Sequence, residues 1–241
     1  VDVCVLALLI GQQEELSPEQ LEALGVGAML HDLGKTRLPR NLLRRSNGYS
    51  PQAQKLLNEH PRLGVSLLNY NKEVPDEAHR IIVEHHEYVD GSGFPEGRTA
   101  AQLSPLSQIV GIVNIYDDLV SGQSGKSAYL PTQALRTLYQ MGRDGKLAQD
   151  HVAWAIRTLG IYPIGAIVEF DTGERGLVVA TNSAEAQKPV VLAVCDKDGQ
   201  AFAAPRLVNL AAKATGEPIQ TIARPLPSTA IPKSLAEYFQ D

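Results

Sequence analysis

Two residues side by side, His31 and Asp32, stand where an apolar helical pattern runs out, in the stretch GAMLHDLGK at 27–35. Neighbours on an α-helix project about 100° apart. A histidine and a carboxylate so placed bracket a common point better than they fill one structural position. Leu21, Leu24 and Ala28 lead to His31 at helical spacing, which puts it on the apolar face. Leu56 and Leu57 precede His60 by four and three, Ile81 precedes His85 by four, and Ile82 precedes His86 by four. Four of the six histidines therefore face inward from helices, and two of them are adjacent. His79, seven before His86, is the competitor on that helix and reads as mostly exposed. Gly34 offers a left-handed helix stop directly before Lys35.

The 241 residues suffice for one large or two modest domains. A net charge of −5 gives no overall basic field, which argues against nucleic acid and anionic lipid as partners. An anionic substrate then needs local cations, from side chains or metal. Cys4 and Cys195 are too few and too far apart for a disulfide framework, and the expectation is a reducing cytoplasm. The opening run VDVCVLALLIG is too short to span a bilayer and lacks the flanks of a signal peptide. It begins mid-pattern, as a buried helix whose start precedes Val1 would.

Ser17-Pro18 with Gln20 predicts a capped helix start, and Ser50-Pro51 and Ser104-Pro105 repeat the device. Pro61 predicts a break or kink at His60. Asp76 is expected to cap a helix running from 77 to about 88. Asp90-Gly91-Ser92-Gly93-Phe94-Pro95 reads as a turn-rich loop whose glycines allow positive φ. The helix after Ser104 carries Ile109, Val113 and Asp117 in one row and Val110 and Asn114 in the next; residues 122–125 break it. Helical patterns follow at 133–141 and 150–159. From Ile161-Tyr162-Pro163 the period changes to alternation, with strands expected at 166–170, 176–181 and 190–195. The expected divisions are a helical domain at 1–160, a small β subdomain at 161–213 ended by Pro205, and a proline-containing tail at 214–241, packed extended on the surface with a helical hint at 234–239. Arg37, Arg40, Arg44 and Arg45 read as a solvated face, or in the sharper reading as phosphate contacts near the His-Asp pair.

Neutral imidazoles with one carboxylate suit iron, manganese, zinc or nickel better than magnesium or calcium. Five such groups, His31, Asp32, His60, His85 and His86, exceed what one ion takes while leaving a position open, so two ions bridged by Asp32 are expected. Two-metal sites stabilise the attacking and leaving oxygens of a phosphoryl group, and Lys35 is placed to neutralise that phosphate.

His31-Asp32 in GAMLHDLGK, His60-Pro61, His85-His86 and the DGSGFP loop, in that order, resemble the HD-GYP domain of the HD phosphohydrolase superfamily. The resemblance runs from about residue 1 to 160. It implies a mainly α fold, an HD-type helical bundle, here followed by the small β subdomain, which also looks like an extension found in some members. It implies two or three divalent transition-metal ions, iron or manganese, and hydrolysis of cyclic di-GMP to pGpG or GMP in bacterial signalling. By the same resemblance His31, Asp32, His60, His85, His86 and, at the family's aspartate position, Asn114 are metal-site residues. Lys35 and Asp32 are catalytic, and Gly93, Phe94 and Lys126 contact substrate. The implied partners are cyclic di-GMP, GGDEF-type or other signalling proteins, and a second copy of the chain. Phe94 stands for the family's tyrosine, a mild change. The family's first histidine would fall before Val1. The stretch VNIYDDL at 113–119, preceded by Ile112, resembles the family's V-A-D-x-x-D-A-L with Asn114 for the ligating aspartate, and Gln123 replaces an arginine further on. These departures make the alternative a degenerate module that binds cyclic di-GMP or a protein partner with little or no catalysis.

Overall fold

The computed structural model describes residues 2–43, 49–68, 73–122, 128–182, 184–212 and 220–231. Packing divides the chain into two units: Val1–Tyr129 with Ala134–Thr158, and Leu130–Gln133 with Leu159–Asp241. Arg44, Arg45, Gln123, Lys126 and the helical hint at 234–239 lie outside the described residues.

The first unit is helical. Its elements are α1 (Asp2–Gln13), α2 (Pro18–Leu30), a 3-10 segment (Leu33–Arg37), α3 (Arg40–Leu43), α4 (Pro51–Leu57), α5 (His60–Leu67), α6 (Asp76–Glu84) and α7 (Pro105–Ser121), followed by α8 (Pro131–Arg143) and α9 (Gln149–Leu159). Serines start three of them as read from the sequence. Ser17 forms a full capping box with Gln20, Ser50 accepts from the Ala53 N–H, and Ser104 from the Leu106 N–H, each followed by proline. Helix α2 packs on α1, α6 and α7, and α5 packs on α6 and the 3-10 segment. Ile10, Leu24, Ile81, Ile82, Ile109 and Ile112 are fully buried between them.

Three local readings need correction. The break beside Pro61 falls at Asn58 and Glu59, so His60 opens α5 rather than ending a helix. Helix α6 starts at Asp76, with Pro75 in the cap position, and stops at Glu84 instead of running to about 88. It stops because the His86 carbonyl, which a continuing helix would give to residue 90, accepts the Phe94 N–H at 3.2 Å. Gly34 is not left-handed. It is glycine because a Cβ there would stand 1.9 Å from the His60 carbonyl oxygen; the turn after Asp32 lies directly on the start of α5.

The second unit carries one antiparallel sheet in the order β4-β3-β2-β1-β5. Its strands are β1 (Ile167–Phe170), β2 (Arg175–Ala180), β3 (Val190–Cys195), β4 (Ala201–Asn209) and β5 (Ile222–Leu226). Val168, Phe170, Val178, Val191 and Ala193 form its core. Pro205 does not end the sheet. It sits inside β4, an edge strand, where a missing N–H leaves no ladder bond unmade on the outer side. Ile222–Leu226, expected within an extended surface tail, instead pairs with β1, with Pro225 opposite Val168 on the other edge. Among the described residues no helix is long and apolar enough to cross a membrane.

Candidate metal centre

Three chain segments, 31–32, the start of α5 and 85–86, deliver the cluster. His31 ends α2, Asp32 begins the turn above α5, His60 opens α5, and His85 and His86 follow α6. Gly34 lets the first two segments meet, and Gly111 of α7 sits where a Cβ would come 2.9 Å from the His85 carbonyl oxygen.

Three imidazoles are oriented by one device. Nδ1 of His31 lies 2.7 Å from the Ala28 carbonyl, Nδ1 of His60 2.8 Å from that of Leu57, and Nδ1 of His85 2.9 Å from that of Ile82. A carbonyl only accepts, so each Nδ1 carries the hydrogen and each neutral ring presents a lone pair at Nε2. Histidines that hold a metal are fixed in this manner. The free lone pairs converge: Nε2 of His60 stands 3.3 Å from Nε2 of His85, and Asp32 Oδ1 lies 3.3 Å and 4.0 Å from the two. Oδ1 is buried and has no hydrogen-bond donor among the described residues. One ligand atom each from Asp32, His60, His85 and His86 lies within 4.8 Å of all the others.

So many acceptors facing one another need a proton or a cation between them. The proton is disfavoured there. Burial, then the neighbouring imidazoles, push His85 well below its ordinary pKa, and burial and His60 bring His86 to about 3. The other side of the carboxylate differs. Lys35 Nζ is 2.7 Å from Asp32 Oδ2, and His31 Nε2 is 3.4 Å from it. Burial works against the charged form of His31, yet the Asp32 carboxylate outweighs it and raises that pKa. Burial alone would raise Asp32; the rings of His31 and His60 and the Lys35 ammonium instead hold it far below the carboxylate range. Oδ2 is thus neutralised by side chains and Oδ1 is left for an ion. A dry pocket of imidazole lone pairs around one carboxylate oxygen suits a divalent transition metal.

The remaining expected residues fall as follows. Phe94 stacks on His86, with ring centres 4.5 Å apart and planes at 25°, and meets His60 edge-on at 6.3 Å. Gly93 presses on the backbone of His86–Tyr88, where a Cβ would stand 2.4 Å from the Glu87 Cα; that close approach, not a positive φ, requires glycine. Asn114 is buried on α7, one turn beyond Gly111 and so on the face that meets His85. Among the described residues it makes no hydrogen bond to the cluster. His79 lies outside the cluster, its Nδ1 3.2 Å from the Pro75 carbonyl. Arg37 and Arg40 are exposed.

Three carboxylates escaped the sequence reading. Asp118 continues the Val110–Asn114 row of α7. Although solvent-exposed, its carboxyl is raised by its desolvating surroundings and by the charges of Asp32 and Asp117, against the pull of Lys35 and His31. The i+4 row was a signal that would have found it. Glu84 and Glu87 flank the histidine pair and are buried, Glu84 among Arg80, Arg98 and the Ser104 N–H.

A family model for the HD domain matches residues 3–148, and the chain belongs to that family. Within that family its motif set and relatives are similar to those of HD-GYP proteins. A cyclic di-GMP phosphodiesterase of Pseudomonas aeruginosa is 27% identical over 179 residues, 74% of this chain and 43% of that protein. The cyclic di-GMP phosphodiesterase response regulator RpfG of Xanthomonas campestris pv. campestris is 31% identical over 140 residues, 57% of this chain and 37% of its own. Among solved structures, an HDG"Y"P protein from Bdellovibrio bacteriovorus superposes with a TM-score of 0.55 at 26% identity, over 64% of this chain and 49% of that one. The chain spans less than half the length of each of these relatives.

Proposed function

We propose that the helical unit is a metal-dependent phosphodiesterase that hydrolyses cyclic di-GMP to pGpG or GMP in bacterial second-messenger signalling. The observation that carries this is the convergence of the His60 and His85 lone pairs on an Asp32 oxygen that has no donor among the described residues. The relatives that share the motifs are named for that substrate, which supports the choice of cyclic dinucleotide. Asp32, His60, His85 and His86 would hold the first ion. His31 with Asp32 Oδ2 would hold a second, displacing Lys35 Nζ from that oxygen. Iron or manganese fits the donor set best. When bound, such ions supply a Lewis acid for a phosphoryl oxygen and an activated water.

The chain's own groups do the rest. Lys35, one-third exposed, is free to leave Asp32 for a non-bridging phosphate oxygen and offset charge that grows during displacement. His85 and His86, kept neutral by burial, hold their lone pairs available at every pH above mild acid. Phe94 roofs the cluster against water and offers a flat apolar face to a base.

Asn114 favours a second reading, a module that binds cyclic di-GMP without turning it over. One experiment separates the two. Protein purified anaerobically without chelator is analysed for metals and incubated with cyclic di-GMP, products being resolved by chromatography. The enzyme reading expects bound iron or manganese and release of pGpG or GMP, with His60→Ala losing both and Lys35→Ala losing only turnover. Protein that binds the dinucleotide and leaves it intact, with Fe²⁺ or Mn²⁺ supplied, establishes the second reading; protein that neither cleaves nor binds it under those conditions overturns both.

A further inference from the structure

His86 is the exception within the cluster. The rings of His31, His60 and His85 are each fixed by a carbonyl three residues back. Among the described residues, the ring of His86 makes no hydrogen bond at all. It is held by ring contacts instead: on the cluster side His85 at 4.1 Å, tilted, and His60 edge-on at 5.0 Å, and outside the cluster Phe94, stacked on it at 4.5 Å and nearly parallel. A stack is only as firm as the loop that carries it.

That loop is tied down by the residue next to His86. Glu87 is 7% exposed, and its carboxylate accepts three consecutive backbone N–H groups: Glu96 at 2.7 Å and Gly97 at 3.1 Å on Oε1, and Arg98 at 3.1 Å on Oε2. A buried carboxylate is ordinarily matched by a cation. The guanidinium of Arg98, whose own N–H Glu87 accepts, instead bonds Glu84 and Glu96. Glu87 therefore directs its hydrogen bonds to the backbone two to four residues beyond Phe94. The near end of the same loop is held by the Phe94 N–H on the His86 carbonyl, and Gly93 leaves no slack against residues 86–88. With both ends fixed to the same two residues, Phe94 has one place to stand.

We propose that Glu87 is a positioning residue of the site: by gathering the N–H groups of residues 96–98 it holds Phe94 flat on His86, and this stack does for His86 what a backbone carbonyl does for the other three histidines. Its bearing on catalysis rests on the phosphodiesterase reading, whereas the ring geometry does not.

The test uses the full chain, first metal-free, with labelled histidine and side-chain NMR. The ring current of Phe94 shifts the carbon-bound ring protons of His86 upfield of those of His79. Glu87→Gln, which keeps the shape but not the charge, moves them at least halfway back and broadens them, while the His31 signals, from a ring that touches neither Phe94 nor His86, hold. Phe94→Leu abolishes the upfield shift and Phe94→Tyr retains it. Glu87→Asp, with the charge kept and the reach shortened, gives a milder form of the same change and decides the matter should Glu87→Gln not fold. Mn²⁺ titration is the second readout. Glu87→Gln and Phe94→Leu each weaken binding about 10- to 100-fold, the range for groups that orient a ligand, and the double variant is no weaker than the worse single. A generic loss of stability leaves the His86 shift in place and makes the two losses multiply; either result overturns the proposal. Absence of hydrolysis in the parent leaves both readouts standing and counts against the enzyme reading alone.

Discussion

The helical unit buries whole polar side chains, whereas among the described residues of the sheet unit the one side-chain polar atom found buried without a hydrogen-bond partner is Nε of Arg175. Every polar or charged residue found buried among the described ones, His31, His60, Glu84, His85, Glu87, Ser104, Ser107 and Asn114, belongs to the helical unit. In the sheet the charges are rim pairs, Glu169 with Arg224 at 2.9 Å and Glu174 with Arg206 at 2.6 Å, over a core of valine, alanine and Phe170. An unmatched buried polar group costs roughly 1–3 kcal/mol. A fold that needed only stability would use the sheet's solution throughout. The difference teaches that the helical unit gives up stability to bury polar groups, and that at the site those groups are lone pairs aimed at one another.

The largest effect that tests this contrast is a pair of truncations. Phe170→Ala removes a fully buried ring and is expected to cost about 3–5 kcal/mol in denaturant unfolding. His85→Ala is just as buried, yet it relieves the contact between the two Nε2 lone pairs, so the metal-free chain should lose less than about 1.5 kcal/mol. Its Mn²⁺ affinity should fall by more than the roughly 100-fold that outer-shell changes cost. Equal destabilisation by the two would mean that the histidine cluster is a structural core and not a strained site.

A smaller, sharper distinction is made by acid. In the unfolded chain His85 and His86 take protons near the ordinary 6.5; in the folded chain His86 waits until about 3 and His85 lies well below its ordinary value. Between those values the unfolded state binds more protons, so stability falls as the pH drops from about 6.5 toward 3. Raised His31 acts oppositely: its contribution is complete below 6.5 and is lost as pH rises through its folded value. The sheet's lowered carboxylates, Glu169 and Glu174, contribute above about 4.5 and lose that only as the pH falls through their folded values. Metal-free protein followed by fluorescence of Trp154 in α9, the one tryptophan, should therefore weaken from about pH 6.5 by on the order of a few kcal/mol. Hydrogen exchange in β3 should hold until below about pH 4.5. His86→Ala should flatten the first transition and leave the second. A single common onset would break the contrast.

The parts of this arrangement legible in the sequence are those encoded locally. Serine-proline caps at 17, 50 and 104 mark helix starts because the capping oxygen and the N–H it satisfies lie within three residues. The histidines were visible because an imidazole on an apolar helical stripe breaks the pattern that surrounds it. What stayed hidden depends on partners far along the chain. Strand β5 owes its existence to β1, more than fifty residues back, and its two prolyl and arginyl positions read locally as loop. The reason for Gly34 is the His60 carbonyl, and the end of α6 is set by Phe94. Glu87 falls inside the helix expected from 77 to about 88, and nothing near it announces three N–H groups arriving from 96–98.

The smallest expected effect concerns Asn114, where the buried polar row of α7 lacks a charge. Asn114 is 6% exposed, on the α7 face whose Gly111 touches the His85 carbonyl. A carboxylate there would face a bound dication with a Coulomb attraction of about 4 kcal/mol at roughly 4 Å and an effective dielectric near 20, before desolvation. Most of that is offset by burying the charge and by the negative charges already near α7, Asp32 and Asp118. A net gain of about 1.4 kcal/mol, tenfold in affinity, is the expected remainder. Asn114→Asp should thus bind Mn²⁺ about tenfold more tightly and hydrolyse cyclic di-GMP faster. The same change should lower the stability of the metal-free chain by about 1–3 kcal/mol, because the new carboxylate then has no cation. The two signs must appear together, in competition titration and in urea unfolding. Tighter binding with no metal-free cost would place the side chain in solvent. A cost without tighter binding would place it in the apolar core of α7, away from the ion, and would remove position 114 from the site.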